Sequence, residues 1–585
     1  MEGHMQSPKH LIDMHTHMFN ARYLPLRGIA ISRKIPSRLA GLFARLCWAL
    51  THLSDFDVTL EETPELIASY WKDGGAELNF LRARSKSKNR KNSEFEKNSP
   101  NHDHDHDHDN ETLIDEYITV LAHNSVSLYF LSQKSATSRN WFSATSKKTT
   151  PQYELLREQI YMIFRDIHAL FGDDESAREL EHFVEPLRTP SIKISKIPNW
   201  GWGLLNMIKE LFKKIIATVD DVIDFLDFAW NMTQPEERLL ERLQKYYTER
   251  NIPFMLVHYM MDMEHPYRLM NGRKKDGEVK LSYYTDNPED ASQLKQMRQL
   301  ALKSNGTLLG FSAFDPTRFL KIQYSDLEII QHLEKALSHG MIGFKFYPPL
   351  GFKPAGNKND RLEKIIDVFL DYCVAKDICV FTHCTPKGFQ LIPSEETGKL
   401  AHPKYWRDAL EKPGRKHLRL CFGHAGGGCY NLKASKLISH GWLAESPIEW
   451  NHEDNFAAEV VKLCREFPNV YCELANIDVI LEDSEAREAM AKNLKDQLTT
   501  HDLPCPYELK DKIMYGTDWH MVGMVNDLLS YFDRLLEMFN QKELQPLIEP
   551  FFNGNALRYL KNQNKFAEQA FSSFTERLNK KNYTV

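Results

Sequence analysis

The sequence has no basic excess. Its 74 lysines and arginines face 80 aspartates and glutamates, a formal charge of −6 with a pI near 6.5. A general nucleic-acid binder shows the opposite balance, so nucleic acid is not an expected partner. The nine cysteines include no C-x-x-C pair, and Cys379, Cys421 and Cys472 fall inside apolar runs. An odd count without paired spacing argues against a disulfide framework and for buried free thiols in a reducing compartment. Long apolar runs are also missing. The best membrane candidate, RLAGLFARLCWALTHL, is interrupted by Arg45 and reads as an amphipathic or core helix. The opening MEGHMQSPKH lacks the apolar core of a secretory leader, and its GHM reads as a cloning remnant that leaves His4 without a role. These absences predict a soluble, cytoplasmic protein with no membrane partner.

What is present is ample material for a core: 585 residues, 42% hydrophobic and 26% charged. From residue 252 onward, short apolar runs alternate with segments of helical period. The runs are IPFMLVHYMMD, TLLGFSAFDP, MIGFKFYPP, ICVFTHC, LRLCFGHAGG, NVYCELAN and KIMYGTDWH, with stretches such as DRLEKIIDVFLDYCVAK between them. Strand alternating with helix predicts βαβ units and a parallel sheet. Adding LIDMHTH near the start makes eight strands, the number of a closed (β/α)8 TIM barrel in the α/β class.

Residues 1–17 and 252–560 are therefore expected to form the barrel, with 18–251 as a large, mostly helical insertion after strand one that caps its mouth. Within the insertion, residues 84–110 (RSKSKNRKNSEFEKNSPNHDHDHDHDN) are almost devoid of apolar side chains and are expected to be a disordered linker. The HDHDHDHD tract reads as solvated rather than as a metal site. Residues 561–585 read as a polar C-terminal tail.

Side chains at i and i+2 of a strand share a face, so His15 and His17 of LIDMHTH can converge on one point. H-x-H alone is a weak signal. Its weight comes from company: strand four carries Lys345, strand five His383, strand six His424 and strand eight Asp518. A parallel barrel brings all these strand ends to one face. Four imidazoles and a carboxylate there have the composition of a zinc-type site with an open position for water.

The motifs DMHTH, GHAGG and YGTDW, in this order, resemble the amidohydrolase superfamily. The closest resemblance is to its amidohydrolase-related branch, which also contains metal-dependent decarboxylases of aromatic and unsaturated acids. The resemblance covers residues 11–17 and about 252–560. It implies that His15, His17, His383 and Asp518 bind a divalent metal, one zinc ion. His424 would orient the water or act as an electrophile. A lysine placed like Lys345 is carbamylated in dinuclear members and bridges two metals, so a second metal belongs to that alternative; a substrate-facing ammonium or a buried structural pair is the other. The implied chemistry is metal-dependent hydrolysis. A metal-activated water would cleave an amide, lactone or related C–N or C–O bond of a small molecule, with Asp518 moving the proton. Decarboxylation by the same residues stays open, as does a non-catalytic barrel acting as a scaffold or binding subunit. Pairing of barrels into a homodimer also follows from the resemblance.

Softer candidates surround this set. Arg318 in FDPTRF could clamp a carboxylate or be an ordinary loop arginine. Tyr347, Trp519 and His520 could line the substrate site, though Trp519 and His520 could equally pack against the closing helix. His258 and Asp262 read as packing residues. Gly426, Gly427 and Gly428 would allow close approach to a ligand or make a tight turn.

Overall fold

The structure, a computed structural model, describes residues 6–21, 23, 24, 26, 37–51, 231–263, 293–304, 306–320, 324–389, 397–433, 436–481, 483–500, 505–522, 528–561 and 565–581. Most of the insertion, including the 84–110 segment, lies outside the described residues. Eight strands form one parallel sheet: β1 (Leu11–Thr16), β2 (Phe254–Tyr259), β3 (Leu308–Phe314), β4 (Gly343–Phe346), β5 (Cys379–His383), β6 (Leu420–Gly423), β7 (Val470–Leu474) and β8 (Ile513–Tyr515). They are hydrogen-bonded in chain order, and helices such as Asp326–Ser338, Asp360–Ala375 and Phe456–Glu466 connect them. This is the expected (β/α)8 barrel.

Asp13 of β1 reaches across to the residues that follow β8. Asp13 is fully buried and accepts from Thr517 N (3.0 Å), Thr517 Oγ1 (2.6 Å), Tyr247 Oη (2.7 Å) and His15 N (3.1 Å). Asp518 N adds a backbone bond to His15 O at 2.7 Å.

The barrel interior is filled by Ile12, Met14, Val257, Tyr259, Phe311, Phe381, Cys421 and Tyr471, among others. Burying each large apolar side chain contributes roughly 1.5–3 kcal/mol. The register between β1 and β2 shifts between Asp13 and Thr16. That extra residue matters, because Ile12 and Met14 already face inward and strict alternation would turn His15 outward. With the bulge, His15 also points in, its ring centroid 5.3 Å from that of Tyr259 and 4.9 Å from that of Phe381.

Two parts differ from expectation. The chain between β6 and β7 carries an antiparallel hairpin, Gly428–Lys433 paired with Lys436–Gly441. Within the segment expected to be a polar tail, Lys565–Lys581 is a helix whose Ala567, Ala570 and Phe574 join the interior cluster. Small alanines on its apolar stripe hid this from the sequence pattern.

The described residues divide into two compact units. One comprises those of Met1–Phe19, Glu236–Lys274 and Leu281–Val585, and the other those of Asn20–Pro235. In the second, Ser37–Thr51 is a helix with Leu42, Phe43 and Leu46 buried. Its two ends meet: Ala21 N donates to Met232 O at 2.9 Å and Asn20 Nδ2 to Gln234 O at 2.9 Å. Eight cysteines, Cys47 and Cys505 among them, are free, and among the described residues no helix is long and apolar enough to cross a membrane.

Candidate metal centre

Strand geometry delivers the polar set to one end of the barrel. His15 lies in β1 and His17 just past it, Lys345 in β4, and His383 ends β5; His424 follows β6 and Asp518 follows β8. All six are buried.

Hydrogen-bond partners fix the imidazole tautomers. A carbonyl oxygen only accepts, so a ring nitrogen bonded to one must carry the proton. His17 Nδ1 lies 2.8 Å from Tyr259 O, His424 Nδ1 3.1 Å from Ala475 O, and His383 Nε2 2.9 Å from Lys387 O. Glu473 as a carboxylate likewise accepts from His15 Nδ1, which lies 2.7 Å from its Oε1. The opposite nitrogens are left as lone pairs, and they face each other. His15 Nε2 and His17 Nε2 are 3.2 Å apart, and His383 Nδ1 and His424 Nε2 are 3.1 Å apart.

A proton between each pair would relieve the repulsion, but burial opposes it. Burial first, and then the Lys345 charge, holds His15 and His17 well below the usual imidazole range. For His383 burial is joined by His424 and Lys345, and for His424 burial and Lys345 lower the value to about 3. Neutral imidazoles with converging lone pairs are what a cation needs.

Asp518 completes the first pair. Its Oδ1 is 3.5 Å from His17 Nε2 and 4.0 Å from His15 Nε2. With the 3.2 Å edge between the histidines, these three atoms surround a point roughly 2.1 Å from each, a zinc-to-nitrogen or zinc-to-oxygen distance. The donors therefore fit a small divalent cation. Asp518 is held in a left-handed conformation (φ 53°), and its Oδ2 accepts from Asn476 Nδ2 at 3.3 Å. Burial lifts its carboxyl to about 7 against the pull of Lys345 and Asn476.

Lys345 Nζ is buried without a hydrogen-bond partner, 4.4 Å from the Phe381 ring centroid and 5.1 Å from that of Tyr259. Burial lowers its ammonium to about 8, with Asp518 and Glu473 opposing. The free amine is thus accessible near neutral pH.

The most consequential residue missed by the sequence reading is Glu473. It is fully buried in β7, two positions after the inward-facing Tyr471, and touches both His15 and His424. A lone glutamate in the apolar run NVYCELAN was the available signal. Asp13, fully buried, lies inside the DMHTH motif, and nothing in that motif signals its role.

Trp519 Nε1 donates to His17 O at 2.7 Å, bracing the loop beyond β1. His520 lies between aromatic rings, stacked on Phe19 (5.2 Å) and Trp519 (4.1 Å). The Tyr347 ring lies 4.6 Å from that of His383, and its Oη accepts from Phe389 N at 3.1 Å. Arg318 is committed to Asp262, with Nε at 2.9 Å and Nη2 at 2.6 Å from Oδ2. His258 Nδ1 accepts from Met18 N at 2.8 Å, a packing role. The glycine run serves a turn: Gly426 has φ 87°, and a Cβ there would collide with Ala457 N of the helix Phe456–Glu466.

Compared with known proteins, no family model and no curated sequence matches the chain. Among solved structures, it is similar to an amidohydrolase from Burkholderia multivorans crystallised with bound zinc. The identity is 10%, with 55% of this chain and 88% of that one covered and a TM-score of 0.31.

Proposed function

We propose that the protein is a metal-dependent hydrolase of the amidohydrolase type, acting on an amide, lactone or related C–N or C–O bond of a small molecule. The observation that carries this reading is the pair of lone-pair nitrogens on His15 and His17 converging with Asp518 Oδ1. These three residues would hold a divalent cation, with zinc favoured by the nitrogen and oxygen donors. When bound, the cation supplies Lewis acidity that polarises a carbonyl and acidifies water.

The chain's own residues do the rest. Asp518, with Oδ2 held by Asn476 and Oδ1 turned to the histidines, is placed to take a proton from attacking water and return it to the leaving group. Burial of the site excludes bulk water and strengthens every charge interaction within it.

A second reading concerns cation number. His383 Nδ1 and His424 Nε2 form their own facing pair, and Lys345 lies between aromatic walls with an unpartnered amine. In that reading His383 and His424 would hold a second cation, and a carbamylated Lys345 would be shared between the two. In that arrangement His424 is a ligand. With Nδ1 donating to Ala475 O, neutral His424 has no Nε2 proton to donate to an oxyanion.

Elemental analysis of the purified protein tests both readings. One equivalent of transition metal per chain supports the first, two support the second, and none overturns both. The proposed function predicts that Asp518→Asn abolishes hydrolysis across a panel of amides and lactones while the circular-dichroism melt stays near wild type. Unchanged turnover removes Asp518 from the chemistry. Carbon dioxide release from aromatic or unsaturated acids, without hydrolysis, would replace hydrolysis by decarboxylation.

A further inference from the structure

Strand β7 supplies none of the proposed cation ligands, yet the segment at its end touches three of the site's residues. Glu473 Oε1 accepts from His15 Nδ1 (2.7 Å) and from the His424 backbone N–H (2.8 Å). Ala475 O accepts from His424 Nδ1 at 3.1 Å, and Asn476 Nδ2 donates to Asp518 Oδ2 at 3.3 Å.

The segment is itself held. Tyr531 Oη accepts from Ile477 N and donates to Leu474 O, both at 3.3 Å, so one buried hydroxyl spans the turn. Within that turn Asn476 adopts a left-handed conformation, φ 52°, and its side chain reaches across to β8. On the other side, Gly516 leaves room for the second glutamate oxygen; a Cβ there would strike Glu473 Oε2.

We propose that Glu473 and Asn476 are positioning residues for the cation site. Glu473 fixes the His15 tautomer, so that Nε2 presents its lone pair beside His17, and strengthens that nitrogen as a donor. Asn476 occupies one oxygen of Asp518 and leaves the other to the cation. His15, His424 and Glu473 offer donor atoms close enough together to form a ligand group themselves. The geometry favours the supporting role, because Glu473 Oε1 is already turned to two N–H donors.

The inference rests on the proposed cation site, and the test separates the two. Wild type, Glu473→Gln, Glu473→Ala and Asn476→Ala are titrated with zinc against a chromogenic chelator. Each is also loaded with cobalt(II) for its visible absorption spectrum, and the metal-free proteins are melted as a folding control. The expectation is zinc affinity weakened roughly 10-fold in Glu473→Gln and up to about 100-fold in Glu473→Ala, with stoichiometry unchanged and a shifted cobalt band. Asn476→Ala should weaken binding several-fold. It carries the test if the Glu473 variants do not fold, since Asn476 is only half-buried.

Wild-type affinity and an unaltered cobalt spectrum in the folded variants overturn the positioning role while leaving the cation site standing. Loss of a whole equivalent of metal in Glu473→Gln overturns it too, by making Glu473 a ligand. A wild type that takes up no zinc or cobalt overturns both.

Discussion

Asp13 combines four donors on one buried carboxylate: two from Thr517, one from Tyr247 and one from the backbone of His15. Burial alone would raise its carboxyl, and the four bonds restrain the shift to about 6. Removing the acceptor strands those donors where water cannot replace it. Asp13→Ala is therefore expected to cost roughly 2–4 kcal/mol of unfolding free energy, read from urea denaturation. A loss below about 0.5 kcal/mol, the size typical of surface changes, would mean that closure between β1 and β8 does not depend on it. The histidines and Asp518 were legible in the sequence because each ends an apolar strand-like run. Asp13 and Glu473 were harder to read, since a single acidic residue inside such a run does not reveal which face it takes. For β1 that face depends on a register shift, and no period marks a bulge in advance.

Elements add a pH-dependent contact. The turn before the helix Asp360–Ala375 is tied to that helix by Glu363, which accepts from Asn357 N (3.0 Å), Asn357 Nδ2 (2.8 Å), Gly356 N (3.2 Å) and Lys412 Nζ (2.9 Å). Burial pushes the Glu363 carboxyl up, but these donors outweigh it and bring it down to about 2 from 4.5. A depressed acid stabilises the fold above its unfolded value and loses that contribution as pH falls through the folded one. Wild type should thus exceed Glu363→Gln in melting temperature above pH 4.5, and the gap should narrow towards pH 2. A gap that is constant with pH would refute the assignment. The helix Lys565–Lys581 makes a separate case. Phe566, Ala567, Ala570, Phe571 and Phe574 recur at helical spacing, but two of the five are alanines and the flanks are polar, so the stripe reads weakly. Phe574 is buried in the barrel's interior cluster, and Phe574→Ala should cost about 3–5 kcal/mol. Chemical denaturation of that variant measures it, and a neutral result would return the segment to the role of a tail.

At the scale of the whole molecule, strand order was legible because seven apolar runs alternate with helical segments after residue 252 and, with the first run, make eight, the count of a (β/α)8 barrel. The insertion was legible as an interruption, and its two ends lie side by side at Ala21 and Met232, which lets a long excursion leave the barrel frame intact. Its internal arrangement was not legible, because helical periodicity gives the apolar face of each helix but not its neighbour. The barrel's seam joins the first strand to the last, and that has a temporal cost. His15 and His17 leave the ribosome well before Asp518, which follows about five hundred residues later, some 25–100 seconds at ordinary rates of synthesis. Through that interval the nascent chain has two of the three donors and no seam. The proposed set of three donors can therefore be complete only after translation has passed strand eight.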